Sequence, residues 1–159
     1  MSLRPFPSQR SLFEAGMQYP RLFESNPGAA RFVHFSEQVM PRLAALRPQL
    51  ETMYCADNGR PGEEPVRLLG VVLLQFVERV PDRQAAECCG FDLRWKLALG
   101  MDADEPAFHA TSLVRFRQRL IDHGLEHLCF EGVLDAMREA GYLGRKQKRQ
   151  RLDSSHVFG

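Results

Sequence analysis

The chain has 159 residues, a formal net charge of +1, 44% hydrophobic and 26% charged residues. These values suit an ordinary globular chain with one core and exclude wholesale disorder or a fibrous repeat. No apolar run approaches the roughly 18 residues that cross a bilayer, and the N-terminus lacks the order of a signal peptide, so a cytoplasmic protein with no membrane partner is expected.

The even balance hides local charge. Acids gather at 57–64 and 102–105, while "GRKQKRQR", residues 144–151, holds five Lys or Arg and no acid. Cys55, Cys88, Cys89 and Cys129 lack metal-type spacing and are read as reduced, mostly buried small hydrophobes.

Residues 1–28 carry Pro5, Pro7, Pro20 and Pro27 among scattered aromatics and fit no period, so they are read as an arm on the body or on a partner chain. Phe32, Phe35, Val39, Leu43, Leu46 and Leu50 then recur at three- and four-residue intervals, which predicts a helix that Pro41 kinks or divides. "CADNGRPGE", residues 55–63, is turn-forming and marks the internal boundary.

"EPVRLLGVVLLQFVERV" puts Pro65 in the first turn of an apolar helix reaching about Arg79, buried nearly all round. Pro81 stops it, Asp82 is placed to cap the next helix and Gly90 to end that one. "FDLRWKLALG" follows as a short helix with Phe91, Trp95 and Leu99 at four-residue spacing. The sequence of long helix, tight turn and short helix is helix-turn-helix-like. Thr111 or Ser112 starts "TSLVRFRQRLIDHG", Gly124 ends it, and a last helix runs to Gly141 or Gly144. The fold class expected is all-α, a helical bundle.

In "TSLVRFRQRL" the residues Leu113, Phe116 and Leu120 share an inward face. Arg115, Arg119 and Asp122 fall on one outer face, with Arg117 and Gln118 to its side. A basic, amide-bearing helix with a polar start at Ser112 suits phosphate and base-edge contacts in a DNA groove. A solvated amphipathic helix with salt-bridging arginines has the same pattern. The run at 144–151 likewise fits a solvated linker or phosphate neutralisation. The histidines form no ligand cluster, and no glycine-rich phosphate loop or nucleophile with its base is recognisable. In "RQRLDSSHVFG", Asp153 read alone is a surface-turn acid.

Taken together, "LLGVVLLQFVERVPDRQAAE", "FDLRWKLALGMD", "HATSLVRFRQRL", "HGLEHLCFEGVLDAMREAGYL" and "RQRLDSSHV" resemble the N-terminal part of bacterial insertion-sequence transposases of the DDE type. The group has an InsH-like N-terminal helical domain ahead of an RNase H-like catalytic domain. The resemblance implies residues 1–55 as arm and amphipathic helix, 56–63 as linker, 64–144 as helical DNA-binding domain, and 145–159 as basic linker and start of a catalytic domain otherwise absent.

It further implies double-stranded DNA, the element's terminal inverted repeats, as partner, a nucleoid-associated location, and a homodimer as a compatible state. Arg115, Arg117, Arg119, Gln118 and Ser112 become the candidates for contacts from a recognition helix, with Arg83 and Gln84 beside them. Lys146, Lys148, Arg149 and Arg151 become candidates for backbone neutralisation. Asp153 in "DSSHV" matches the first catalytic carboxylate, Ser155 standing where Thr is usual. In the longer enzyme three carboxylates would hold Mg²⁺. One carboxylate cannot, so this chain is expected to bind DNA without cutting it and to need no cofactor. The alternatives are a stand-alone helix-turn-helix regulator, a transposition inhibitor, or a dimerisation module.

Overall fold

Asn26 turns the chain into its first helix: its side chain accepts the Gly28 N–H at 3.0 Å, and Pro27 occupies a first-turn position that needs no N–H. The computed structural model describes Phe23, residues 26–54 and 62–127, and Phe130, Glu131, Leu134 and Arg138. Among them the architecture is all-α, with no strand.

Helix α1, Pro27–His34, runs through a π-helical turn, Phe35–Val39, into α2, Met40–Ala44. The kink or division expected at Pro41 takes the form of a change of helix type, with Pro41 in the first turn of α2 directly after the π-helical turn. Proline offers no N–H and crowds the carbonyl four residues before it. Here the Met40 N–H reaches back five residues to the Phe35 carbonyl, and the widened turn passes the proline without ending the rod. Helix α3, Arg47–Glu51, completes this arm of the fold. Phe32, Phe35, Val39, Leu43 and Leu50 are buried, as their spacing predicts, while Leu46 of the same row is only half-buried and Met40, outside it, is buried too.

Helix α4, Pro65–Glu78, is the centre of the core. Glu64 caps it by accepting the Val66 N–H at 3.4 Å, and the same carboxylate receives the Arg47 guanidinium, Nε to Oε1 3.2 Å, which ties α3 to the start of α4. Val66, Leu68, Leu69, Val71, Leu73 and Leu74 are buried. A methyl at Gly70 would sit 2.8 Å from the Met40 sulfur and 2.9 Å from Leu99 Cδ2, so the glycine sets how closely α2 and Leu99 approach the central helix. Burial does not continue all round to the end, because Phe76 is 79% exposed. Arg79 closes the helix in the left-handed region at φ 55°.

Helix α5, Asp82–Phe91, is capped by extended Pro81 and not by Asp82, which stands inside the first turn and turns its carboxylate elsewhere. Gly90 does not end α5 either. It lies in the last turn facing Ala107, where a Cβ would meet the Ala107 Cβ at 3.0 Å, so it makes room for the later loop. Phe91 is 88% exposed and belongs to α5, not to the inward row of the next helix. That helix, α6, Leu93–Leu99, is capped by Asp92, whose side chain accepts the Arg94 N–H at 2.8 Å, and ends at Gly100 with φ 63°. Trp95, Ala98 and Leu99 are buried. Of the cysteines, Cys88 and Cys89 are free thiols, and burial pushes Cys89 up to about 12, leaving it unreactive. Cys55 and Cys129 lie outside the described residues.

Helix α7, Thr111–Asp122, packs Leu113, Phe116 and Leu120 against α4 and α5, and Gly124 at φ 64° follows its end. Backbone at 126, 127, 130, 131, 134 and 138 is again helical. Core residues on both sides of 56–63 join one hydrophobic cluster.

The loop between α6 and α7 hangs on a buried lysine. Lys96 is 1% exposed, and its ammonium donates to the Asp102 carbonyl at 3.3 Å and to the Glu105 carbonyl. Arg67 on α4 pairs with the Glu105 carboxylate beside it. Replacing Lys96 with Met keeps the volume but strands two carbonyls, and should cost roughly 2 to 3 kcal/mol in denaturant unfolding. An unchanged midpoint would show that the loop does not depend on this lysine.

Candidate nucleic-acid interface

The three core residues of α7 define its geometry. With Leu113, Phe116 and Leu120 inward, Gln118 lies opposite them, and Thr111, Val114, Arg115, Gln118, Ile121 and Asp122 form one exposed stripe. Arg117 and Arg119 fall on the two shoulders, where each finds a partner in the fold.

On one shoulder Arg117 grips Asp82 with both terminal nitrogens, Nη1 to Oδ1 3.0 Å and Nη2 to Oδ2. The same Oδ1 accepts Gln75 Nε2 at 2.8 Å. One carboxylate thus joins α4, α5 and α7, and the two-pronged geometry fixes α7 in rotation as well as position. The Arg117 hydrogen bond is the main reason the Asp82 carboxyl sits below its ordinary range, with the Gln75 hydrogen bond adding to it. On the other shoulder the Arg119 guanidinium lies over the Tyr54 ring, 4.7 Å from its centroid. Burial raises the Tyr54 phenol, and Arg119 opposes that rise.

The expected outer face of Arg115, Arg119 and Asp122 is therefore rearranged. Arg119 is half-buried on a shoulder and Gln118 takes the centre, its amide donating to Asp122 Oδ1 at 2.8 Å. Arg115 stays on the stripe, exposed, and makes no ion pair among the described residues. Ser112 is half-buried, and its N–H bonds the His109 carbonyl at 2.8 Å. The Thr111 hydroxyl meets His109 Nδ1 at 2.8 Å, a contact that settles the start of the helix without a side-chain N-cap.

Arg83 and Gln84 are exposed in the first turn of α5, next to the Asp82 that holds Arg117. Arg83 lies 3.7 Å from Glu87 in a fully solvated pair, which leaves the guanidinium available to a stronger acceptor. Lys146, Lys148, Arg149, Arg151 and Asp153 lie outside the described residues. Sequence reasoning missed the Asp82 junction and the Tyr54 platform, since both join residues remote in the chain. Among the described residues no group of three or more His, Cys, Asp or Glu is placed to hold a metal ion. No helix among them is long and apolar enough to cross a membrane.

Residues 21–119 match the family described as Transposase domain (DUF772). The chain belongs to this family. The match makes it a relative of insertion-sequence transposases, with a role related to transposition. It spans α1 to α6 and α7 through Arg119, so Asp82, Arg117, Tyr54 and Arg119 all fall within the transposase domain. No curated protein and no solved structure matches the chain.

The junction gives this transposase domain a pH dependence of definite sign. Asp82 is depressed when folded, so its contribution is complete above the unfolded carboxylate range and is lost as pH falls through the lower, folded value. Thermal midpoints from about pH 7 down to about pH 2 should therefore fall less steeply in Asp82→Asn than in the wild type, the variant starting lower at neutral pH. Parallel curves would mean that the pair does not carry this stability.

Proposed function

We propose that the chain binds double-stranded DNA at transposon terminal inverted repeats through the outer stripe of α7, with the first turn of α5, part of the helix-turn-helix-like succession of α4, α5 and α6, alongside it. The observation that carries this reading is the division of labour among the α7 arginines. Arg117 and Arg119 are committed to Asp82 and Tyr54, and Arg115 is left exposed among the uncharged Thr111, Val114 and Gln118, with Asp122 the acid at the far end of the stripe.

A helix fits a major groove, and specific contacts there need side chains held at fixed angles. The two shoulders supply that rigidity. Arg115 suits the paired acceptors of guanine, and Gln118 the donor and acceptor of adenine once its bond to Asp122 is exchanged. Asp122 repels phosphate at the C-terminal end of the stripe, so the N-terminal turns enter deepest, where the helix dipole also favours the anionic duplex. Ser112, Arg83 and Gln84 then face the flanking backbone. Lys146, Lys148, Arg149 and Arg151 supply charge that is indifferent to sequence. In this reading residues 64–144 are the DNA-binding unit, braced by the helices before residue 55, and the isolated chain binds without cutting. A family shown to concern transposition supports DNA as the partner.

Arg115→Ala tests the reading because Arg115 is no part of the core. Binding to a terminal-repeat duplex should weaken by about 1 to 3 kcal/mol, with a smaller loss on random duplex and an unchanged melting midpoint. Equal losses on both duplexes would show that α7 does not read sequence.

A further inference from the structure

The stripe contains one side chain that the hydrogen-bonding account leaves unused. Val114 is 53% exposed, one turn before Gln118 and directly beside Arg115. About half of the valine surface is left in water, and its immediate neighbours on the stripe, Thr111, Arg115 and Gln118, are polar, so the side chain offers a small isolated apolar spot and not the extended patch of a stable protein interface. What fits such a surface is a partner that is itself mostly polar and carries isolated methyl groups at fixed places. The major groove of duplex DNA is that kind of surface, since each thymine presents a single 5-methyl group among hydrogen-bonding base edges.

We infer that Val114 is a specificity-determining residue that packs on a thymine methyl, at a base pair neighbouring the one that Arg115 contacts. This rests on DNA reading by α7. The geometry favours Val114 over Ile121, the other exposed apolar residue of the stripe. Ile121 stands two turns further on, beside Asp122, whose charge keeps that end of the helix away from the duplex. Val114 is in the N-terminal half, on the side of the stripe turned towards Arg117 and therefore towards the first turn of α5. Arg115 and Val114 together then select a guanine or cytosine pair next to an adenine–thymine pair, a choice that neither makes alone.

The test removes single methyl groups from the DNA. In duplexes carrying the terminal inverted repeat, thymines are replaced one at a time by deoxyuridine and binding is measured with the wild-type chain, Val114→Ala and Ile121→Ala. At one position the wild type should lose about 4-fold in affinity, the value of one buried methyl group. Val114→Ala should bind the methylated and unmethylated duplexes equally, and Ile121→Ala should keep the wild-type loss. Val114 is on the surface, so its variant should fold with an unchanged melting midpoint.

Insensitivity of the wild type at every thymine would overturn the inference, as would full sensitivity in Val114→Ala. Loss of sensitivity in Ile121→Ala alone would move the contact to the other end of the stripe and overturn the assignment. In each of these outcomes the Arg115→Ala loss on the same repeat would still stand, separating failure of the inference from failure of DNA reading. A wild type that does not prefer the repeat to random duplex would sink both.

Discussion

The carboxylate of Asp82 is where three helices are made to agree. Gln75 reaches it from α4, Arg117 from α7, and Asp82 itself opens α5. Each bond taken alone is a part-buried surface contact of modest worth. Their value is in direction. Two parallel hydrogen bonds from a planar guanidinium leave little freedom to roll, and Arg119 on Tyr54 restrains the same helix from the other side. Leu113, Phe116 and Leu120 would allow α7 to settle on the core with some latitude in rotation. The shoulders remove it, and with it the uncertainty over which side chains face outward.

Beneath that junction the core is ordered around α4. Gly70 lets Met40 and Leu99 come against the central helix, and the π-helical turn before Pro41 carries the first rod past α4 without a break. Lys96 does comparable work for the long connection into α7, holding its carbonyls from inside the fold. The end of α7 that we propose to enter DNA is thus set by a buried lysine, a hub carboxylate and a cation resting on a ring. All three are polar devices within a mostly apolar frame, which is where orientation, as distinct from bare stability, is specified.

What could be read from the residues in order was local. Pro65 in the first turn of α4, the 113, 116 and 120 row of α7, and the glycine stop at 124 follow from short-range rules and recur in the structure. The errors share a cause. Asp82 is a good cap by composition, yet Arg117, 35 residues away, claims its carboxylate. Gly90 has the look of a helix stop, and its real constraint is the passage of Ala107. Phe91 continues the spacing of Trp95 and Leu99, but Asp92 caps a new helix between them and changes the phase. The arginines of α7 are alike in sequence and differ only in what stands opposite them, so no local pattern separates the one left exposed from the two that brace the helix.

The family places the chain among proteins of transposition, and the disposition of α7 suggests how such a domain would hold a reading helix steady. Titration of a terminal-repeat duplex into isotope-labelled chain, followed residue by residue by NMR, tests this most directly. The expected result is that backbone shifts concentrate on Thr111–Gln118 and the first turn of α5, while the Arg117 side chain keeps its free-state signal because it stays on Asp82. Shifts centred on another surface, such as that around the exposed Phe76 of α4, with α7 unmoved, would contradict the assignment of α7 as the reading helix.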